Sequence, residues 1–165
     1  MERICEAYDV VKSGLGLCSD EIADIFATWN DGPLDSYLME ISVEVLRHKS
    51  SDTNTPIVDL ILDKAGQKGT GLWTAMSSLE VGCPAPTIAQ AVYARSISSF
   101  KQLRTKASSL LSGPEKESLS DSKKKEVIAQ LHDAMYCAKM CTYAQGFQLM
   151  KLAAKEHGWT LDRTI

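Results

Sequence analysis

Apolar residues recur at a helical spacing over nearly the whole chain, and this pattern excludes most folds. Near the start, one face of a helix is formed by Ile4, Ala7, Tyr8 and Val11, which follow the spacing i, i+3, i+4, i+7. Apolar residues recur at this spacing in later segments up to Gly158, which is predicted to cap the C-terminus of the last helix. Glycine and proline separate the apolar stretches. The sequence therefore predicts an all-α fold with about six helices.

Several helix ends are indicated by their residue types. Ser19 is predicted to be an N-cap, because Asp20 and Glu21 follow it in the first turn, where the helix dipole favours acidic groups. A third helix is predicted over about 35–47. The apolar segment 56–62 fits either a short strand or a buried helical turn, because a run of this length does not separate the two.

Two long helices are predicted in the second half of the chain, over about 87–111 and about 122–156. The pattern of the later helix rests on Val127, Leu131, Met135, Ala138, Phe147 and Met150. Small residues are also frequent on it, among them Ala144 and Gly146, and they allow close contact with another helix. A length of 165 residues suits either one domain with its own core or a piece of a larger domain, and a single helical domain is expected over 1–165.

The composition excludes several classes of protein. A formal net charge of -3, with 44% hydrophobic and 24% charged residues, is ordinary for a globular protein and does not suggest a nucleic-acid binder. The basic run 123–125 is interpreted as a solvated helix start. No apolar stretch approaches the roughly 20 residues that cross a bilayer, so no membrane partner is expected. The N-terminus lacks a signal-peptide core, which favours a cytoplasmic location.

The five cysteines are expected to be reduced and mostly packed, because an odd number without a secretion signal does not suggest a disulfide framework. Cys137 and Cys141 lie one helical turn apart and could ligate a metal. No histidine or second cysteine pair has a supporting spacing, so no metal site is predicted.

The segment 63–74 is the least generic part of the sequence. Its three glycines, at 66, 69 and 71, permit unusual backbone conformations and a close approach of backbone N–H groups to an anion. Lys68 adds a positive charge and Thr70 a hydroxyl group, and the following helix would direct its N-terminus to the same place. From the residues alone, a phosphate-binding loop and a structural turn with an exposed lysine both stay open.

A nucleotide-binding P-loop is excluded for this segment. Gly66 and Gly71 have the separation found in G-x-x-x-x-G, but Leu72 and Trp73 stand where that motif requires Lys and Ser or Thr. The match therefore fails at the residues that bind the nucleotide.

Arg95 is the second candidate site residue, because it lies on a predicted helix among apolar and small residues. An arginine there either pairs with a buried carboxylate or contacts a ligand, and the residues favour the structural interpretation. If Arg95 and Lys68 faced one another, they would form a clamp of two cations for a phosphate group.

Several motifs of this chain, taken together, resemble the 6-phosphogluconate dehydrogenase family. They occur in the order and approximate spacing of that family, at residues 4–9 (ICEAYD), 63–71 (DKAGQKGTG), 91–95 (AVYAR) and 143–147 (YAQGF). Members of the family oxidise and decarboxylate 6-phosphogluconate to ribulose 5-phosphate with NADP, or sometimes NAD, in the oxidative pentose phosphate pathway. A Rossmann-like domain holds the cofactor, and a large helical domain supplies much of the substrate site and of the homodimer interface.

The resemblance implies that Lys68, Thr70 and Arg95 contact the substrate phosphate, and that 6-phosphogluconate and a second copy are the partners. The family's catalytic lysine and glutamate precede the point where this sequence begins, and no G-x-G-x-x-G occurs. No catalytic and no cofactor-binding residue is therefore expected here, and the chain alone is expected to be inactive. Leu72 and Arg3 depart from the family pattern, which has a lysine and an apolar residue there. The alternative is a non-catalytic helical association module that retains the scaffold.

Overall fold

The computed structural model describes residues 1–113 and 119–161. Within these ranges the chain forms eight α-helices, a π-helical segment at Val10–Gly14 and no strand. The α-helices are α1 (Glu2–Asp9), α2 (Ser19–Asn30), α3 (Tyr37–Arg47), α4 (Ile57–Leu60), α5 (Thr70–Glu80), α6 (Pro86–Ser99), α7 (Lys101–Leu110) and α8 (Asp121–His157). The prediction of an all-α fold is confirmed, with more helices than the six expected.

The chain divides into two compact units, and the prediction of one domain over 1–165 stays a prediction. The first unit is built from Met1–Asp63 and Leu111–Ala138. The second unit is built from Lys64–Leu110 and Lys139–Ile165. Helix α8 contributes residues to both.

The core of the first unit is formed mainly by α2 and α3. Phe26 on α2 is only 1% exposed, and its ring stacks on that of Trp29 at a centroid distance of 5.4 Å. The rings of Trp29 and of His132 on α8 form a T-shaped pair with a centroid distance of 5.9 Å. Burying a side chain of this size contributes about 1.5–3 kcal/mol relative to leaving it exposed. The other large side chains that are almost completely buried are Ile22, Met39 and Val11.

Helix α2 begins one residue earlier than the sequence pattern suggested. Cys18, not Ser19, is the N-cap, and its backbone N–H donates to Oε2 of Glu21 at 2.8 Å. That hydrogen bond also lowers the pKa of Glu21. In a capping box, the glutamate lies three residues after the N-cap. Glu21 therefore identifies Cys18 as the N-cap, and Ser19 is a buried residue inside the helix.

Helix α3 has a capped start. Oγ of Ser36 accepts a hydrogen bond from the backbone N–H of Met39 at 3.2 Å, which satisfies one of the donors that a helix leaves open at its N-terminus. The helix therefore begins at Tyr37, two residues after the predicted start.

We expect Ser36→Ala to lower the free energy of unfolding by about 1 kcal/mol, because it removes the N-cap hydrogen bond. Urea denaturation followed by circular dichroism measures the change. Ser51→Ala is the matched control, because Ser51 lies in an exposed turn and its hydroxyl donates to the neighbouring Asp52. Equal losses for the two variants would contradict the assignment of the cap.

The ambiguous segment 56–62 contains one helical turn, α4, and its residues are half-buried or exposed rather than buried. An ion pair fixes this turn, since Nζ of Lys12 in the π-helical segment contacts Oδ1 of Asp59. The same ammonium group donates to Oη of Tyr8 at 2.7 Å. These two hydrogen bonds raise the pKa of Lys12 despite the opposing effect of desolvation, which is the largest single contribution.

The prediction of one long helix over 87–111 is wrong, because this region forms two helices, α6 and α7, with a break at Phe100. Side chains compete for the carbonyl groups at this point. The hydroxyl of Ser99 donates to the carbonyl of Ser96 at 2.6 Å, and Nη2 of Arg104 donates to the carbonyl of Ser98 at 2.9 Å. Such bonds offer the backbone an alternative to continuing the helix.

The long helix predicted over 122–156 is confirmed as α8 (Asp121–His157). Gly158 has φ +67°, and the N–H of Trp159 returns to the carbonyl of Ala154 at 2.9 Å, so the predicted C-cap is present. The apolar set of this helix is only partly buried. Met135 lies in the core of the first unit, whereas Phe147 and Met150 are half-exposed.

The expectation of packed cysteines is wrong. Only Cys83 is buried, whereas Cys5, Cys18, Cys137 and Cys141 are exposed, and all five are free thiols. In the described ranges, no three His, Cys, Asp or Glu side chains are grouped as a metal site would require. Helices long and apolar enough to cross a bilayer were also not found among the residues described.

Candidate anion-binding site

The glycine-rich segment leads directly into α5 in the second unit. Gly69 is the N-cap of α5, with φ +100° and ψ -32°, a conformation that residues with a Cβ rarely adopt. A Cβ at this position would come within 2.8 Å of Cζ2 of Trp73, so the indole ring excludes any larger residue. The N–H of Trp73 donates to the carbonyl of Gly69 at 2.9 Å, which closes the first turn of the helix.

The first turn of α5 is suited to an anion. The backbone N–H groups of Thr70, Gly71 and Leu72 precede the first bond of the helix and so have no partner within it. Lys68 and Thr70 are both exposed beside these groups. No acidic residue occurs in the first turn of α5, and the sequence of α6 contains no Asp or Glu. The local charge therefore favours a negatively charged ligand.

This segment lies close to α6 at two positions, which are on either side of Arg95 in the helix. The backbone N–H of Ala65 donates to Oγ of Ser98 at 3.0 Å. At the other end, a Cβ on Gly71 would stand 3.3 Å from Cγ2 of Val92. Positions 92, 95 and 98 of a helix share one face, because they are three residues apart. Arg95 therefore lies on the face of α6 that carries the glycine-rich segment.

The half-buried side chain of Arg95 is oriented by Ser96. Its Nη2 donates to Oγ of Ser96 at 2.8 Å, and that hydroxyl in turn donates to the carbonyl of Val92 at 2.9 Å. Oγ of Ser98 donates to the carbonyl of Arg95 itself at 3.0 Å. The bond to Ser96 uses one of the five N–H donors of a guanidinium group. Restricting the side chain in this way lowers the entropy lost when it binds a ligand.

The sequence indicates Lys68, Thr70 and Arg95. In the structure, Lys68 and Thr70 lie on either side of Gly69 at the start of α5, and Arg95 lies on α6, to which the segment is joined by the bond from Ala65 to Ser98. The sequence patterns did not indicate Ser96 and Ser98, which position Arg95 and the segment. A signal was present in the run Arg-Ser-Ile-Ser at 95–98, where each serine is within one helical turn of the arginine. The arrangement can hold an anion through two cations, a hydroxyl group and backbone N–H groups.

An open groove of about 390 Å³ lies between α5 and α6 in the same unit. Its lining is largely apolar and includes Leu72, Met76 and Tyr93. A phosphate group would lose its hydration there without gaining hydrogen bonds, so this groove does not compete with the candidate site for an anion.

Comparison with known proteins agrees with the fold and with the motifs. The family model for the C-terminal domain of 6-phosphogluconate dehydrogenase matches residues 1–164. A decarboxylating 6-phosphogluconate dehydrogenase of Schizosaccharomyces pombe is 53% identical over 98% of this chain, which covers 32% of that protein. An NADP(+)-dependent, decarboxylating 6-phosphogluconate dehydrogenase of Bacillus subtilis is 49% identical, again over 98% of this chain and 34% of the relative.

A solved structure gives the same result in three dimensions. The 6-phosphogluconate dehydrogenase of Plasmodium falciparum, determined without ligand, with its cofactor NADP+ and with its substrate 6-phosphogluconate, superposes with a TM-score of 0.84 at 38% identity. The match covers 97% of this chain and 34% of the solved chain. The chain thus spans about a third of the length of the relatives it matches. With the family model matched along almost its whole length, the chain belongs to the 6-phosphogluconate dehydrogenase family and corresponds to its C-terminal domain.

Proposed function

We propose that this chain is the part of a decarboxylating 6-phosphogluconate dehydrogenase that binds the phosphate group of 6-phosphogluconate. The observation that supports the proposal is the hydrogen bond from the N–H of Ala65 to Oγ of Ser98, which joins the segment containing Lys68 and Thr70 to the helix that carries Arg95. The three residues act together: Lys68 supplies a point charge, Thr70 a hydroxyl donor, and Arg95 a planar fork of N–H groups.

The charge of the site favours a phosphate ester over a carboxylate. A phosphate monoester carries between one and two negative charges near neutral pH, with three terminal oxygens. Two cations and several backbone N–H groups match that charge and number of acceptors, whereas a carboxylate offers two oxygens and one charge. The sugar-acid part of the substrate would then extend away from α5 towards the rest of the enzyme.

Under this proposal, the chain binds the substrate but contributes no residue to hydride transfer or decarboxylation. The NADP of the full enzyme, or NAD in its place, would be held by another domain, as would the groups that remove and donate protons. The product would be ribulose 5-phosphate, formed in the pentose phosphate pathway in the cytoplasm by a homodimer. Support for NADP comes from the relatives, one of which is described as NADP(+)-dependent and another of which was solved with NADP+.

Isothermal titration of the chain with matched ligands tests the proposed site. We expect 6-phosphogluconate to bind and gluconate, which lacks only the phosphate group, to bind at least about tenfold more weakly, because charged hydrogen bonds contribute about 1.5–3 kcal/mol each. Inorganic phosphate should compete with 6-phosphogluconate, and added salt should weaken its binding. Equal affinities for the two sugar acids would overturn the proposal.

A non-catalytic association module is the second candidate function, and one observation favours it. Helix α8 carries half-exposed aromatic and methionine side chains on one face within the second unit. Large exposed apolar patches are typical of association surfaces. The two functions are compatible, because the residues of α8 are distinct from Lys68, Thr70 and Arg95.

A further inference from the structure

The hydroxyl group of Ser98 makes two hydrogen bonds in the second unit, one along α6 and one across to the glycine-rich segment. Its Oγ donates to the carbonyl of Arg95 at 3.0 Å and accepts from the backbone N–H of Ala65 at 3.0 Å. A serine hydroxyl has one donor and two acceptor positions, so both bonds can form at the same time. The bond to Arg95 fixes the side chain of Ser98 against its own helix, which holds Oγ in place for Ala65.

The segment that this bond holds has little regular structure of its own. Residues 64–68 lie in neither a helix nor a strand, and all five are exposed. A stretch of this kind has several accessible conformations, and fixing its backbone costs conformational entropy. Lys68 ends this stretch, and α5 begins two residues later at Thr70. The contact at Ala65 therefore restricts the backbone near one end of the stretch, while α5 restricts it at the other.

The end of α6 at which Ser98 lies is fixed by α7. Nη2 of Arg104 donates to the carbonyl of Ser98 at 2.9 Å. This carbonyl belongs to the last turn of α6, where carbonyl groups have no hydrogen-bond partner within the helix. The bond satisfies the carbonyl and joins the two helices across the break at Phe100. The position of Ser98 is therefore set by contacts from both helices.

We propose that Ser98 is a positioning residue for the phosphate site. By holding Ala65 on α6, its hydroxyl group keeps the segment of Lys68 in the conformation that binds an anion at the start of α5. The inference rests on the proposed function, because it assigns a further role at the same site. When a fraction of the molecules is competent to bind, the apparent dissociation constant rises in inverse proportion to that fraction. Loss of the bond lowers the fraction and so weakens binding without removing a group that contacts the ligand.

Titration calorimetry of the native chain and of Ser98→Ala with 6-phosphogluconate tests this role. We expect Ser98→Ala to bind about 2- to 10-fold more weakly, because a hydrogen bond between neutral groups contributes less than one to a charged group. Ser98→Thr keeps a hydroxyl group that can bond to a preceding carbonyl of the helix, and it should restore most of the affinity. Ser108→Ala is the matched control, since Oγ of Ser108 on α7 donates to the carbonyl three residues earlier in the same way, at 2.9 Å.

The dependence of binding on salt separates positioning from direct contact with the phosphate. Lys68→Ala removes a charge from the site, so its binding should vary less with salt concentration than that of the native chain. Ser98→Ala keeps every charged group, and its binding should retain the native dependence on salt. A reduced dependence in Ser98→Ala would overturn its assignment as a positioning residue.

Hydrogen exchange of the Ala65 amide, followed by nuclear magnetic resonance without ligand, tests the bond itself. We expect Ser98→Ala to speed this exchange about 2- to 10-fold, and Ser108→Ala to leave it unchanged. Unchanged exchange in Ser98→Ala would overturn the inference, as would an equal loss of affinity in Ser108→Ala. A native chain that bound no 6-phosphogluconate would overturn the proposed function and this role with it, whereas binding that Ser98→Ala leaves unchanged would overturn this role alone.

Discussion

Replacing Phe26 by alanine should lower the free energy of unfolding of the first unit by about 3–5 kcal/mol. Phe26 is 1% exposed and stacks on Trp29, so the variant would leave a cavity and lose an aromatic pair. Domains of this size have a total stability of about 5–15 kcal/mol, and the variant would therefore lose a large part of it. Urea denaturation followed by circular dichroism measures the change.

Phe100→Ala is the matched control for this experiment. It removes the same atoms from a ring that is 58% exposed at the break between α6 and α7. We expect its loss to be about 1 kcal/mol or less, because little apolar surface is returned to water. A similar loss for both variants would show that Phe26 does not occupy the centre of a packed core.

The helices were predictable where local chemistry determines them. The apolar spacing indicated α2, α3 and α8, and the conformation at Gly158 followed from its place after the last helical turn. The error at Ser19 was of one residue, because either Cys18 or Ser19 could precede a first turn that contains acidic residues, and only the bond to Glu21 distinguishes them. At the break near Phe100, the side chain of Arg104 donates to the carbonyl of Ser98. The spacing of apolar residues gives no information about such a hydrogen bond.

Burial was less predictable than helix formation. The spacing of apolar residues shows which of them share a face of a helix, but not whether another element packs on that face. Phe147 and Met150 belong to the pattern of α8 and are nonetheless half-exposed, and four of the five cysteines are exposed for the same reason. The covering element for each face is determined by tertiary packing, which brings together residues far apart in the sequence.

The candidate site divides in the same way. Lys68 and Thr70 could be found from the glycines around them, since the spacing of those glycines is local. The connection between their segment and the helix of Arg95 could not, because it depends on the hydrogen bond from Ala65 to Ser98, which joins residues 33 positions apart. Without that contact, the residues favoured a structural role for Arg95. At the level of the sequence, only the resemblance to the family predicted that Arg95 and Lys68 contact the same phosphate group.

Arg95→Ala should weaken the binding of 6-phosphogluconate by about 10- to 100-fold, the largest effect expected of any single change at the site. Hydrogen bonds to a charged group contribute about 1.5–3 kcal/mol, and each 1.4 kcal/mol corresponds to a factor of ten in affinity. The serine beside Arg95 already orients the guanidinium group, so little entropy opposes its contact with phosphate. Titration calorimetry of the chain with 6-phosphogluconate measures the loss.

Two further variants separate the role of the guanidinium group from that of its charge. Arg95→Lys keeps the charge but not the planar fork, so its affinity should lie between those of the native chain and Arg95→Ala. Arg47→Ala removes the same charge from the first unit, where Arg47 pairs with Asp24 at an exposed position, and it should leave binding unchanged. If Arg47→Ala and Arg95→Ala weakened binding equally, the effect would come from net charge, and Arg95 would not contact the phosphate.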